Sequence, residues 1–319
     1  MTENTDPQMN RGASLVHKAP ILTCRSANRL LLAASVATLA VAMPGIALAQ
    51  AVPAGCAPDP AVAGGTVTCL APPTPISAIA TTVDDLTINV GDATTPTTVN
   101  NAAGDAIRMF GAGAQTLNIF NSGSSVSGSA SGVSIVITSG VDDITLVSEG
   151  TISGLNGIAA VNNGTGGVTL NVVDVTGSSA PNAVAISAGT VGAEDISITS
   201  TGLVQGDIGI RASSGSFLGS IKINAVDVMA GALGIDSNGD DVAITSTGAV
   251  SGGSTGINVD VNGVLTVNVV DVTGGSADGI SVRTLTNSTD LFITATGLVQ
   301  GGDDGIDLPN IRGVGDLMI

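Results

Sequence analysis

The chain has 319 residues, 26 acidic against nine basic side chains (formal net charge -17), 44 glycines, four phenylalanines and neither tryptophan nor tyrosine. So few aromatic groups exclude the thick core of an ordinary globular domain of this length, and dense Val and Ile with a mean hydropathy of +0.48 exclude a disordered chain. Strong acidity excludes nucleic acid and anionic lipid as partners.

The first predicted element, residues 1-49, is a secretory signal peptide. A basic leader with Arg11, Lys18, Arg25 and Arg29 runs into the apolar stretch "LLLAASVATLAVAM" from Leu30 to Met43. Pro44-Gly45 then breaks the helix, and small residues follow at Ala47 and Ala49. This layout places signal cleavage between Ala49 and Gln50, and the apolar run is shorter than the about 20 residues a spanning helix needs. The mature chain is therefore expected to be exported without inserting in the membrane. Four basic and two acidic residues leave with the leader, so 5 positive and 24 negative side chains remain.

Residues 50-84 are predicted to form an N-terminal cap segment. Cys56 and Cys69 stand in "GCAPDPAVAGGTVTCLAP", in a chain bound for an oxidising compartment, and are expected to pair as a disulfide. Closing a loop of about 14 residues stabilises by roughly 3 kcal/mol in the chain-entropy account.

From residue 85 to 319 one text recurs. "DISITSTGLVQGDIGI" (Asp195 to Ile210) returns as "DVAITSTGAVSGGSTGI" from Asp241, as "DLFITATGLVQGGDDGI" from Asp290 and more faintly from Asp143. A second text alternates with it: "VTLNVVDVTG" from Val168, "IKINAVDVMAG" from Ile221 and "LTVNVVDVTGG" from Leu265. Strand openings at Leu86, Leu117, Ile144, Val168, Ile196, Ile221, Val242, Leu265, Leu291 and Leu317 are 21 to 31 residues apart. A period of this size marks a solenoid, whose units bury their apolar face only by stacking.

Within a unit, residues such as Ile196, Ile198 and Ser200 alternate with Ser197, Thr199 and Thr201, a period of two that makes the element a strand. A Gly-Ile step follows in each unit, as at Gly209-Ile210 and Gly256-Ile257, and fits either a positive φ or a tight corner. The predicted fold is all-β, a right-handed parallel β-helix of about nine to ten coils, preceded by the signal peptide. Asp316-Leu317-Met318-Ile319 restarts the text of Asp290-Leu291-Phe292-Ile293. An uncapped coil there is expected to continue in a longer protein.

The signal peptide, the Cys56 and Cys69 segment, "LTINVGDATTPTTVNNAAGDAIRM" (Leu86 to Met109) and the "ITSTG" coils together resemble the start of the passenger domains of bacterial autotransporters, the type V secreted proteins. The resemblance implies periplasmic export in a Gram-negative bacterium, and passage through an outer-membrane β-barrel translocator made by the protein's own C-terminus. Display at the cell surface or release follows from it. The chain has no such barrel segment, so the translocator is expected beyond Ile319. The function implied is that of a structural stalk or adhesin for a host or surface ligand whose identity stays open.

Catalytic chemistry has few candidates. The only histidine lies in the leader, which removes Ser-His-Asp and Cys-His catalysis and histidine zinc sites from the mature chain. Lys222 in "SIKINAV" is not part of a phosphate loop. Asp pairs at 84-85, 142-143, 240-241 and 303-304 read as turn residues before strands, although a carbohydrate-active lyase or hydrolase is the alternative if carboxylates from neighbouring coils converge. "GGDDGIDLP" (Gly301 to Pro309) departs from the calcium nonapeptide at Asp304. Thr199-Ser200-Thr201 and Thr245-Ser246-Thr247 resemble the threonine pairs of ice-binding solenoids, but recur every second unit. No enzyme activity and no cofactor are expected.

Overall fold

Val, Ile and Thr, branched at Cβ, favour extended backbone, and the Gly, Asn and Asp between them favour corners. The chain follows that division in the computed structural model, which describes residues 53-58, 61-70, 75-215, 217-285, 290-311 and 315-319. All of these belong to one unit, Leu48–Ile319. The predicted leader and its Ala49-Gln50 cleavage point lie outside the described residues.

Among the described residues every regular element is a strand. Each coil has three faces. The first is a sheet of 12 strands that includes Thr66–Cys69, Leu86–Val90, Gln115–Ile119, Ile144–Ser148 and, further along, Ile196–Ser200, Ile221–Ala225 and Val242–Ser246. All are parallel except the opening Cys56–Ala57, which pairs antiparallel with Thr66–Cys69. The second and third faces form one sheet of 17 strands. It bends round a corner because Leu203–Ser214 pairs with both Val175–Thr176 and Val184–Thr190 of the coil before it. Parallel pairing between coils begins at Thr66↔Thr87, and about ten coils are stacked before Leu317–Met318 starts another. At about 4.8 Å per strand the stack runs about 48 Å.

Stacking places like on like. Ile196 pairs with Ile221 and Ile221 with Val242, and the second row runs Leu146, Leu170, Ile198, Ile223, Ile244, all fully buried. Burying each such side chain contributes about 1.5–3 kcal/mol. No single coil could do this, because each row is covered only by the coils on either side.

One row differs from the sequence-based expectation. The strand predicted to open at Leu117 opens at Gln115, which pairs with both Leu86 and Ile144, while Leu117 pairs with Ile88. The spacings are thus 29 and 29 residues, not 31 and 27. Gln115 is fully buried in an otherwise aliphatic row. Its Nε2 donates to the Val83 carbonyl at 3.0 Å, so a polar residue stands where the pattern calls for an apolar one, and its neighbour was mistaken for the strand start.

At the Gly-Ile glycines the structure selects one of the two alternatives that the sequence left open. None has positive φ among the described residues; that conformation belongs to Gly55, Gly64, Gly91 and Gly140. Their role is close approach at the corner between the second and third faces. A Cβ on Gly209 would lie 2.4 Å from Val228 Cγ1 and 2.5 Å from the Gly234 carbonyl, and one on Gly234 would lie 2.3 Å from the Gly256 carbonyl. The tight corner, not the left-handed backbone, selects glycine.

Candidate functional surface

The carboxylates serve first as rungs between coils. At the corner before the first face, Asp143 Oδ1 accepts the N–H of Gly167 (2.7 Å), Asp195 that of Ser220 (3.0 Å) and Asp241 that of Val264 (2.7 Å), each one coil further on. At the next corner, Asp174 accepts from Leu203 (2.8 Å), Asp227 from Ala249 (2.9 Å) and Asp271 from Leu298 (2.7 Å). Beside these acceptors stand Gly202, Gly248 and Gly297, where a Cβ would sit 2.2 Å from the carboxylate oxygen. The two alternating texts are therefore complementary: the Asp of "VDV" in one coil docks against the Gly of "TG" in the next. Ser200 and Ser246 complete the joint by donating from Oγ to the Val173 and Val226 carbonyls (2.9 and 3.0 Å). These inward serines explain why the third inward position of an "ITS" strand is small.

The outward side of the first face carries a different chemistry. Thr66, Thr87, Thr116, Thr145 and Thr169 form one continuous column, in register on five successive strands. Two residues along each strand lies a second column, Thr68, Asn89, Asn118, Val147 and Asn171. Asn118 Nδ2 donates to Asn89 Oδ1 at 2.9 Å. Further on, the same positions hold Ser197 and Thr199, Lys222 and Asn224, Ala243 and Thr245, Thr266 and Asn268, Phe292 and Thr294. No carboxylate occupies any outward position of these strands, in a chain with 26 acidic residues.

The threonine pairs picked out in the sequence are arranged otherwise than expected. Thr201 and Thr247 lie past their strands, Ile196–Ser200 and Val242–Ser246. The outward partner of Thr199 is Ser197, and that of Thr245 is Ala243. Thr199, Thr245 and Thr294 recur on every second strand, with Asn224 and Asn268 between them, whereas Thr66 to Thr169 recur on every strand.

Charge gathers on the third face. Asp236 accepts from Arg211 Nε in the preceding coil (3.1 Å, Oδ2) and from Asn258 Nδ2 in the following one (2.9 Å, Oδ1). Arg283 Nη2 donates to Asp260 Oδ2 at 2.5 Å. Asn238, which pairs across the sheet with Asp260, has a buried Oδ1 without a hydrogen-bond partner. Asp236 and Asp260 come from adjacent strands two positions out of step, which puts them diagonally about 7–8 Å apart. Two residues before the strand Ile280–Thr284, burial and the nearby Asp307 and Asp304 charges push the Asp278 carboxyl above its usual range, against hydrogen bonds from Asp304 N–H and Ser281. A hollow of ≈ 410 Å³ at the end of the last coil is lined by Ile293, Thr294, Ala295, Ile306, Met318 and Ile319.

Cys56 and Cys69 face each other across the antiparallel opening pair and are disulfide-bonded (S–S 1.99 Å). Asp84 and Asp85, an Asp pair from the sequence, accept from Ala112 N–H (2.6 Å) and Ala114 N–H (2.9 Å). Asp303 and Asp304 of the calcium-like stretch join no metal-binding set: among the described residues no group of three or more His, Cys, Asp or Glu side chains could hold an ion. The Arg211, Asp236, Asn258, Asp260 and Arg283 cluster was not found by sequence reasoning. Its members are 22 to 25 residues apart, and only the coil register shows that they meet. Comparison with known proteins yields no match: no family model, no curated protein and no solved structure is similar to the chain.

Proposed function

We propose that this solenoid is exported and displayed at the surface of a Gram-negative cell as a stalk or adhesive spacer, in the manner of an autotransporter passenger. The observation that supports the reading is the unbroken stack. Rows of mostly aliphatic inward side chains and carboxylate rungs recurring at two of the corners make a rigid element whose length grows by repetition. The apolar leader with its break before Ala49 supplies the export route, and an outer-membrane β-barrel translocator supplies the anchor. The test is protease shaving of intact cells of the bacterium that encodes the chain, with terminal sequencing of the released product. The expected result is peptides from residues 50-319, with Gln50 at the mature N-terminus. Protection of those peptides together with a periplasmic marker, or retention of Met1, would overturn the proposal.

A carbohydrate-active reading is favoured by one observation, the grouping of Arg211, Asp236, Asp260 and Arg283 on the third face, with two carboxylates at a separation compatible with inverting hydrolysis. Both are engaged by arginine, and Asp236 accepts hydrogen bonds on both oxygens, an arrangement that suits a structural ladder better than a proton donor. Release of reducing ends from acidic or neutral polysaccharides by the purified protein, abolished by Asp236→Asn or Asp260→Asn, would establish the hydrolytic reading.

A further inference from the structure

The geometry points to the outward side of the first face as an ice-binding surface. It is distinguished by regularity. Its strands pair from Thr66 to Ala295 without a register shift, whereas the other sheet slips between Gly206 and Ile208 and between Ser281 and Arg283. The outward side chains thus form a lattice repeating about every 4.8 Å along the stack and about every 6.7 Å across it. Thr66, Thr87, Thr116, Thr145 and Thr169 present a methyl and a hydroxyl at each node of one column. As β-branched residues on a sheet they have few χ1 options and little order left to gain.

This face carries no carboxylate and one cation, Lys222. The carboxylates that bridge coils stand at corners or on the third face, so the column from Thr66 to Thr169, which itself holds no charge, suits a ligand that carries no charge. Short side chains on a sheet enclose no groove for a small solute. A single hydroxyl bonded to water gains nothing over the same hydroxyl in liquid water, because one hydrogen bond replaces another. A gain accumulates only when the partner is itself a planar, uncharged solid with repeat distances near those of the array, and the oxygen layers of ice have that character. A crystalline neutral polysaccharide shares the flatness and neutrality, but sugars dock on aromatic faces, and of these outward positions only Phe292 is aromatic.

The experiment is partition of the purified, exported chain into a slowly grown ice hemisphere, together with inhibition of ice recrystallisation. Three forms are compared: wild type, Thr116→Lys/Thr145→Lys, and Ser134→Lys/Ala159→Lys, which places the same charges on the third face of the same two coils. Circular dichroism and melting curves confirm that each form is folded. Several-fold enrichment of wild type and the third-face variant in ice, with exclusion of the threonine variant, is the expected result. Exclusion of folded wild type, or equal partition of all three forms, overturns the proposal. It is also overturned if wild type is excluded from ice yet binds cellulose or chitin powder through the same threonines, since the occupant is then a glycan. The assay uses isolated protein, so its outcome is separate from that of the cell-surface test.

Discussion

The first and third faces are cut from the same coils, yet they solve different problems. First-face strands are mostly five residues long, alternate inward aliphatic with outward Thr or Asn, and hold one register throughout. The third-face strands Asn156–Asn162 and Thr255–Val261 are longer and have as their second residue a glycine pressed into a corner, and this face carries Arg211, Asp236, Asp260 and Arg283 outward. The difference shows what repetition tolerates. Identical neutral residues can stack directly on one another, but like charges cannot. On the third face Arg211, Asp236 and Asn258 therefore follow one another as cation, anion and amide on three successive coils.

The largest effect is expected where the third face is most crowded. Gly234→Ala puts a Cβ 2.3 Å from the Gly256 carbonyl, which is backbone and cannot step aside, so a loss of about 3 kcal/mol in chemical denaturation is expected. An outward first-face change such as Thr145→Val should stay within about 0.5 kcal/mol. A loss as large as that of Gly234→Ala, about 3 kcal/mol, is expected for Cys56→Ser/Cys69→Ser, measured as a lower unfolding midpoint under non-reducing conditions. Asp227→Ala leaves the Ala249 N–H without its acceptor, and about 1–2 kcal/mol should be lost. Its amide exchange with solvent should rise.

Arg211→Ala removes one partner of a part-exposed pair. It should cost about 0.5 kcal/mol, a difference that shrinks as salt is added. Asp278→Asn gives the smallest shift, and its sign depends on pH. The folded-state pKa of Asp278 is raised, so the ionised carboxylate disfavours the fold, and this group's contribution fades as pH rises from the ordinary carboxylate range through that raised value. The variant should melt slightly higher than wild type at pH 7 and alike at pH 3.

The period, the strand character and the two alternating texts were legible in the sequence because each coil must bury the same few positions against its neighbours. Leu86, Ile144, Ile196 and Ile221 could be lined up by eye for that reason. Gln115 broke the alignment because hydropathy carries no information about a buried amide whose partner, Val83, lies in the preceding coil. The threonine array was hidden for a related reason. Thr199 and Thr201 look equivalent in the text, but only the first is within a strand.

Amino-acid order alone determined that this chain would be a stack of short parallel strands, since period-two alternation repeated about every two dozen residues leaves no other way to cover its apolar side chains. Tertiary structure decided which outward residues share a column, which Asp meets which Gly, and that Arg211, Asp236, Asn258, Asp260 and Arg283 converge. Those pairings depend on the length of every intervening corner, and a change of one residue in a corner turns a strand's side chains to the opposite face.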